Sequence, residues 1–149
     1  MSQVIAKISV STIVERDNKF LMVKEYTEDG IRFNQPSGHL ETNELPSVAA
    51  AREVMEETGY DIEIMGFVGA YMMQRGSNGA SYIRLCFSGV LKQLEPLKKP
   101  DSDIIEALWM DIEEISKIEN KLRNPMVIPC FADYFEGTLP ITTVKSYFV

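Results

Sequence analysis

Glu53, Glu56 and Glu57 stand at positions i, i+3 and i+4 of SVAAAREVMEET, a stretch rich in helix-favouring alanine and glutamate. On a helix that spacing puts three carboxylates on one face. Carboxylates held so close repel one another unless a cation sits among them. Ligands that are all oxygen select a hard ion, Mg²⁺ or Mn²⁺, and Mg²⁺ typically keeps waters and completes its shell with substrate phosphates. An E-x-x-E-E run by itself is usually a solvated helix face, so the weight falls on what surrounds it.

The helix needs a start, a stop and a seat. Pro46 suits the first turn, where a missing N–H costs nothing, and Gly59 suits the C′ position that ends it. Val48, Ala51 and Met55, with Ala50 and Val54 beside them, are expected to form the apolar stripe that seats the helix. Arg52 is one turn from Glu56 and within reach of Glu44, and would fix both carboxylates. Ahead of the helix, Pro36-Ser37-Gly38 predicts a tight loop whose backbone can approach an ion.

Read together, the order is Gly38, five residues, Glu44, seven residues, Arg52-Glu53, an apolar residue, one more, Glu56-Glu57, one more, Gly59 and Tyr60. This resembles the Nudix box, G-x5-E-x7-R-E-U-x-E-E-x-G-U with U bulky and apolar. Every fixed position is filled, and Tyr60 stands where the family more often has an aliphatic residue. The resemblance implies an α/β/α sandwich and Mg²⁺-dependent hydrolysis of a phosphoanhydride, with Mn²⁺ as an alternative ion. It also implies a metal held by Glu53, Glu56, Glu57 and the Gly38 carbonyl. Glu53 is the first candidate for general base, with Glu57 and loop acids as alternatives, while Glu44 and Arg52 orient the ligands.

The resemblance extends to one branch. FNQPSGHLETNE before the helix, RLCF at Arg84–Phe87, DSDI at Asp101–Ile104, Trp109 and LRNP at Leu122–Pro125 are similar to the NudJ-like phosphatases. That branch implies release of orthophosphate from nucleoside tri- and diphosphates and from thiamine diphosphate and its hydroxymethylpyrimidine diphosphate precursor. The same box serves house-cleaning triphosphate pyrophosphatases and hydrolases of ADP-ribose or dinucleoside polyphosphates. A nucleotide-binding sensor that has lost catalysis is a further class, opposed by the intact Glu53, Glu56 and Glu57.

The bulk properties agree with a small phosphorylated substrate. A net charge of −7 argues against a nucleic-acid polymer or an anionic membrane as partner. The 149 residues suit one domain, 1–149, and no apolar run approaches the length of a membrane span. MSQVIAKISV lacks the pattern of a secretory leader, and Cys86 and Cys130 read as buried thiols of a reducing compartment. A cytoplasmic monomer is the expectation.

Along the chain, Val4–Val14 alternates as a half-buried strand, with Ile8, Val10, Thr12 and Val14 on one face. Asp17-Asn18 marks a turn, Phe20–Glu25 its hairpin partner, and Ile31-Arg32-Phe33 a short strand. Ile62–Met73 and Ser81–Leu91 form a hairpin about a Gly76-Ser77-Asn78-Gly79 loop, and Ile105–Met110 is one more strand. Asp111 and Glu114 open a short helix, and a second helix runs from Asn124-Pro125 to Gly137. The tail from Leu139 is open between a strand and a loose end. The fold class is α/β, a mixed sheet with helices on its faces.

Arg84, a lone cation in an apolar strand, either pairs a carboxylate or reaches a phosphate through its bidentate fork. Gln35 and Asn34 either turn the chain or hydrogen-bond a base. Phe33 and Tyr71 either pack or stack on a flat ring. Asp101, Asp103 and Glu106 are solvated or face the carboxylates, His39 packs or touches a phosphate, and Trp109 is core or cleft wall.

Overall fold

The computed structural model describes residues 3–75 and 79–149; Gly76, Ser77 and Asn78 of the expected hairpin loop lie outside the described residues. β1 (Ala6–Arg16) and β2 (Lys19–Thr27) meet in a tight hairpin. Its two turn residues, Asp17 and Asn18, have φ of 53° and 62°. Two positive φ values in succession suit the twist of a two-residue hairpin, and Asp and Asn tolerate them.

β2 is flanked by β3 (Gly30–Asn34) and β7 (Ile104–Met110), both antiparallel. β1 pairs β6 (Ser81–Leu91) in parallel and the three-residue β4 (Ser37–His39) antiparallel. β6 pairs β5 (Ile62–Met73) antiparallel, which closes the expected hairpin. The result is a seven-stranded mixed sheet of order β3-β2-β1-β6-β5, with β4 on β1 and β7 on β2.

Helices cover both faces. α1 (Pro46–Thr58) packs Ala49, Ala50 and Val54 onto Val10, Phe87, Val14 and Leu21. α2 (Ile112–Lys117) and α3 (Val127–Glu136) bring Ile115, Val127 and Phe131 onto Ile13, Phe20, Met22 and Cys86. Neighbours along one strand, such as Cys86 and Phe87, fall in opposite layers because strand side chains alternate. This is the expected sandwich.

Several expectations change in detail. β1 is buried continuously from Ser9 to Val14 and does not alternate with solvent, since both of its faces carry helices. Ile8, expected on the inner face, is 41% exposed. The Pro36–Gly38 loop is mostly strand: β4 forms because β1 offers its backbone at Ser9–Ser11. The seat of α1 is rotated: Ala49, Ala50 and Val54 are buried, whereas Val48 is 53% exposed and Ala51 and Met55 are only partly covered. Glu53 and Glu57 reach in toward β4, so the helix turns that flank to the sheet.

The helix ends follow the sequence. Gly59 closes α1 with φ 79° and its N–H on the Met55 carbonyl. Asp111 caps α2 by accepting the Glu114 N–H at 2.8 Å. Asn124 accepts the Met126 N–H at 2.9 Å just ahead of α3, and Gly137 ends that helix. The tail makes one bridge to β5, where Leu139 and Phe67 exchange two backbone hydrogen bonds of 2.8 Å. No helix among the described residues is long and apolar enough to cross a membrane.

Candidate active site

α1 and β4 together make the floor of a cleft of about 1030 Å³. Glu53 projects from α1 directly over Gly38. A Cβ at Gly38 would lie 2.0 Å from the Glu53 carboxyl carbon, so only glycine admits this approach. One turn on, the Glu57 carboxylate accepts the Ser37 N–H at 2.8 Å. Two box carboxylates are thus pinned to the strand that precedes their own helix.

Arg52 organises the remaining acids. Its Nε and Nη2 donate to the two oxygens of Glu44 at 2.7 and 3.0 Å, a bidentate grip. Nη2 also donates to the His39 carbonyl at 3.0 Å. Nη1 donates to Glu53 at 2.9 Å and to both oxygens of Glu56 at 3.3 Å. Glu44 is held below the ordinary carboxylate range, chiefly by its hydrogen bond from Arg52.

The cleft is electrostatically stressed. Burial raises the Glu53 carboxyl; Arg52 opposes this, and Glu56 and Asp101 add to it. Glu57 is pushed up to about 9, first by burial and then by Glu25, Glu53 and Asp103, against the Ser37 hydrogen bond. Asp101 and Asp103 belong to a loop fastened to the end of α1: the Asp101 N–H donates to the Glu56 carbonyl at 3.0 Å and the Leu97 N–H to the Gly59 carbonyl at 2.8 Å. A Cβ at Gly59 would lie 1.9 Å from the Lys98 carbonyl oxygen, so the glycine that ends α1 also lets this loop dock.

Among the described residues, no three acids converge as a finished ligand set, and the Arg52 guanidinium lies between Glu53 and Glu56. The donor chemistry nevertheless fits a hard divalent cation. The candidates are oxygens, Glu53 and Glu57 are partly withdrawn from water, and each is raised by its acidic neighbours. A cation relieves that repulsion. Glu53, Glu56, Glu57 and the Gly38 carbonyl are the groups that would hold it.

Of the residues expected to meet substrate, Arg84 lines the cleft, while Gln35 and Phe33 do not. Gln35 is fully buried and accepts from Arg84 Nη1 at 3.0 Å, so it supports the guanidinium from behind. Phe33 packs on the α3 side of the core with Lys24 over its ring at 5.9 Å. Tyr71 donates to Asp133 at 2.6 Å, away from the cleft, and Trp109 donates to Tyr60 at 3.3 Å under Arg16. Asp101 and Asp103 do line the cleft, whereas Glu106 lies along β7. His39 borders it with its ring stacked on Tyr82 at 6.2 Å.

An ion pair of the cleft wall, Glu25 with Arg123, escaped the sequence reading. Glu25 of β2 is a 3% exposed carboxylate in the cleft wall, paired with Arg123 from the segment before α3. The register of β2 against β7 shifts between Lys24 and Glu25, and such irregularities re-aim a side chain. An acid ending an apolar run was the available signal. Cys86 and Cys130, distant in sequence, come together behind Arg84, where burial pushes the Cys86 thiol well up.

Comparison with known proteins agrees with this geometry. The NUDIX domain matches residues 6–130. The Phosphatase NudJ of Escherichia coli strain K12 is 35% identical over 130 residues, covering 87% of this chain and 84% of that protein. The Phosphatase NudJ of Shigella boydii matches to the same extent. A NUDIX hydrolase from Nitrosomonas europaea superposes with a TM-score of 0.88 at 35% identity, covering 95% of this chain and 97% of that one. The box, the cleft it floors and these relatives lead to one conclusion: the chain belongs to the Nudix family of phosphoanhydride hydrolases and stands close to its NudJ phosphatases.

Proposed function

We propose that the protein is a Mg²⁺-dependent phosphatase that releases orthophosphate from nucleoside tri- and diphosphates and from thiamine-type diphosphates, Mn²⁺ serving in place of Mg²⁺. The observation that carries this is the stressed carboxylate floor. Glu53 and Glu57 are pinned to β4, half-withdrawn from water, and raised by one another's neighbourhood. When bound, the ion offsets that charge, engages phosphate oxygens and acidifies the attacking water. The NudJ relatives support the phosphatase branch.

The chain's own groups then have separable tasks. Glu53, the first candidate for general base, takes a proton from water as a phosphorus–oxygen bond forms and the anhydride bond breaks toward the departing phosphate. Glu56 and Glu57 complete the acidic floor, with Glu57 and Asp101 or Asp103 as the alternative bases. Arg52 and Glu44 keep the carboxylates aimed and touch no reacting atom. Arg84 meets the substrate from the opposite wall. The organic group lies toward His39 and Tyr82, whose stacked rings border the cleft. Two reduced, buried thiols support a reducing, cytoplasmic setting, and we take the enzyme to act as a monomer.

The test is to follow the phosphorus products of GTP with Mg²⁺ by NMR, without an auxiliary phosphatase. Stepwise orthophosphate is expected, and likewise from thiamine diphosphate and hydroxymethylpyrimidine diphosphate. Pyrophosphate with nucleoside monophosphate would overturn the phosphatase branch and leave the family intact.

A further inference from the structure

The chain's two cysteines take no part in the chemistry of the cleft, yet the fold brings them together beside it. Cys86 stands on β6 and Cys130 on α3. Both are free thiols, 0% exposed, in one apolar cluster, and their sulfurs are neighbours. Their environments differ. Burial pushes the Cys86 thiol up, whereas the hydrogen bond with Cys86 holds the Cys130 thiol below its ordinary range, with the charge of Arg84 in support. Cys130 is therefore the sulfur readier to act as a thiolate.

Toward β5 the pair is covered by Tyr71. Its ring folds back over Gly69, the residue that faces Cys86 across the sheet: a Cβ at Gly69 would lie 2.8 Å from the Tyr71 hydroxyl. That hydroxyl reaches α3 and donates to Asp133 at 2.6 Å, in an exposed bond one turn beyond Cys130. The register of β5 against β6 also slips between Phe67 and Gly69, beside Cys86. A half-exposed ring tied by an exposed hydrogen bond, next to a break in the ladder, is where a sheet opens locally.

On the other side Gln35 joins the pair to the cleft. Its Nε2 lies 4.0 Å from the Cys86 sulfur, and its amide oxygen holds Arg84 Nη1 at 3.0 Å. Arg84 and Cys86 are successive residues of one face of β6. Just ahead of α3, Arg123, Asn124 and Met126 line the cleft. A new bond between the sulfurs would thus pull on the support of Arg84 and on the helix whose leading segment walls the cleft.

We propose that Cys86 and Cys130 are an oxidation site, joined by a small hydroperoxide into a disulfide that ties α3 to β6, disturbs the Gln35 support of Arg84 and slows turnover until a thiol reduces it. The Cys130 sulfur attacks a peroxide oxygen: an S–O bond forms, the O–O bond breaks, and water leaves with the thiol proton. The Cys86 sulfur then displaces that oxygen, forming S–S and breaking S–O, and a second water leaves with the Cys86 proton. The two thiols lose two electrons and the peroxide gains them. The effect on turnover rests on the hydrolase reading above; the disulfide does not.

The wild-type protein is treated with hydrogen peroxide, alkylated in denaturant and mapped by mass spectrometry, and kcat/KM for GTP in Mg²⁺ is followed alongside. A Cys86–Cys130 cross-linked peptide is expected, with kcat/KM lowered about tenfold, as a shifted cleft wall would do, and restored by dithiothreitol. Cys130→Ser should turn over like the untreated wild type and be insensitive to peroxide. Tyr71→Phe, which keeps the ring and cuts its tie to Asp133, should form the cross-link faster. No cross-link in the wild type, thiols carried instead to sulfinic acid, a cross-link that leaves kcat/KM unchanged, or equal peroxide sensitivity in Cys130→Ser overturns the proposal. The wild-type arms decide it even if a variant fails to fold. If GTP is not hydrolysed before treatment, the hydrolase reading fails, while the peptide map still decides the oxidation site.

Discussion

Glu57 shows how a single side chain sets opposing demands. It ionises near 4.5 when free, and burial with Glu25, Glu53 and Asp103 nearby holds it protonated up to about 9 in the ion-free fold. Between those values the folded state binds a proton that the unfolded state has lost, so stability falls as pH rises through the window. Glu57→Gln should therefore melt higher than wild type without metal, by a margin that grows from pH 5 to pH 8. Its kcat should drop by about a hundredfold or more. A variant that melts below wild type at pH 8, or turns over at the wild-type rate, would contradict this account. Gly38 makes the complementary case. Gly38→Ala must displace the Glu53 carboxyl, and an error of that size at a reacting group lowers kcat by about a hundredfold. Circular dichroism should find the fold retained.

At the scale of elements, α1 does two tasks with one glycine. Gly59 takes a positive φ and leaves room for the Lys98 carbonyl, so Gly59→Ala should cost more than about 1 kcal/mol in urea unfolding. It should also loosen the loop that carries Asp101 and Asp103. Asp111→Ala, which removes only a cap of α2, should lower the melting temperature and leave turnover unchanged. These elements were legible because their signals are local: Pro46, the i, i+3, i+4 glutamates and Gly59 all lie within one helix and its cap. β4 was not, since three residues become a strand only when β1 is there to receive them. The rotated seat of α1 was also hidden. Apolar residues occur on both flanks of that helix, and the choice is made by Glu53 and Glu57 reaching for β4. Gln35 looked like a ligand contact for a related reason: a polar residue beside a site reads the same from sequence whether it faces the substrate or backs the residue that does.

For the whole molecule, the acidic balance of −7 and the carboxylate floor make the protein's charge depend on its ion. Binding of Mg²⁺ must ionise Glu57, so near pH 7 about one proton should be released per site, as recorded by titration in weak buffer. Glu57→Gln should abolish that release. The ion should also raise stability by mass action, about 2.7 kcal/mol at a hundred times its dissociation constant. An ion that left both pH and melting temperature untouched would remove the floor from consideration as its site.

The parallel pairing of β1 with β6 has a consequence for how the chain comes together. Ala6 to Val14 lie against Ser81 to Gly89, so the middle of the sheet joins segments far apart in sequence, while the β5–β6 and β1–β2 hairpins are close to home. The entropy of closing that long span has to be met before the pairing returns anything. Hairpins should therefore form early and the β1–β6 seam late, with the carboxylate floor completed only afterwards, because β4 hangs from β1. Once formed, the seam is covered on both faces, and its amides should be among the slowest in the protein to exchange with heavy water. An unfinished chain would thus hold the glutamates without the strand that aims them, and catalysis would begin only when the last join in the sheet is made.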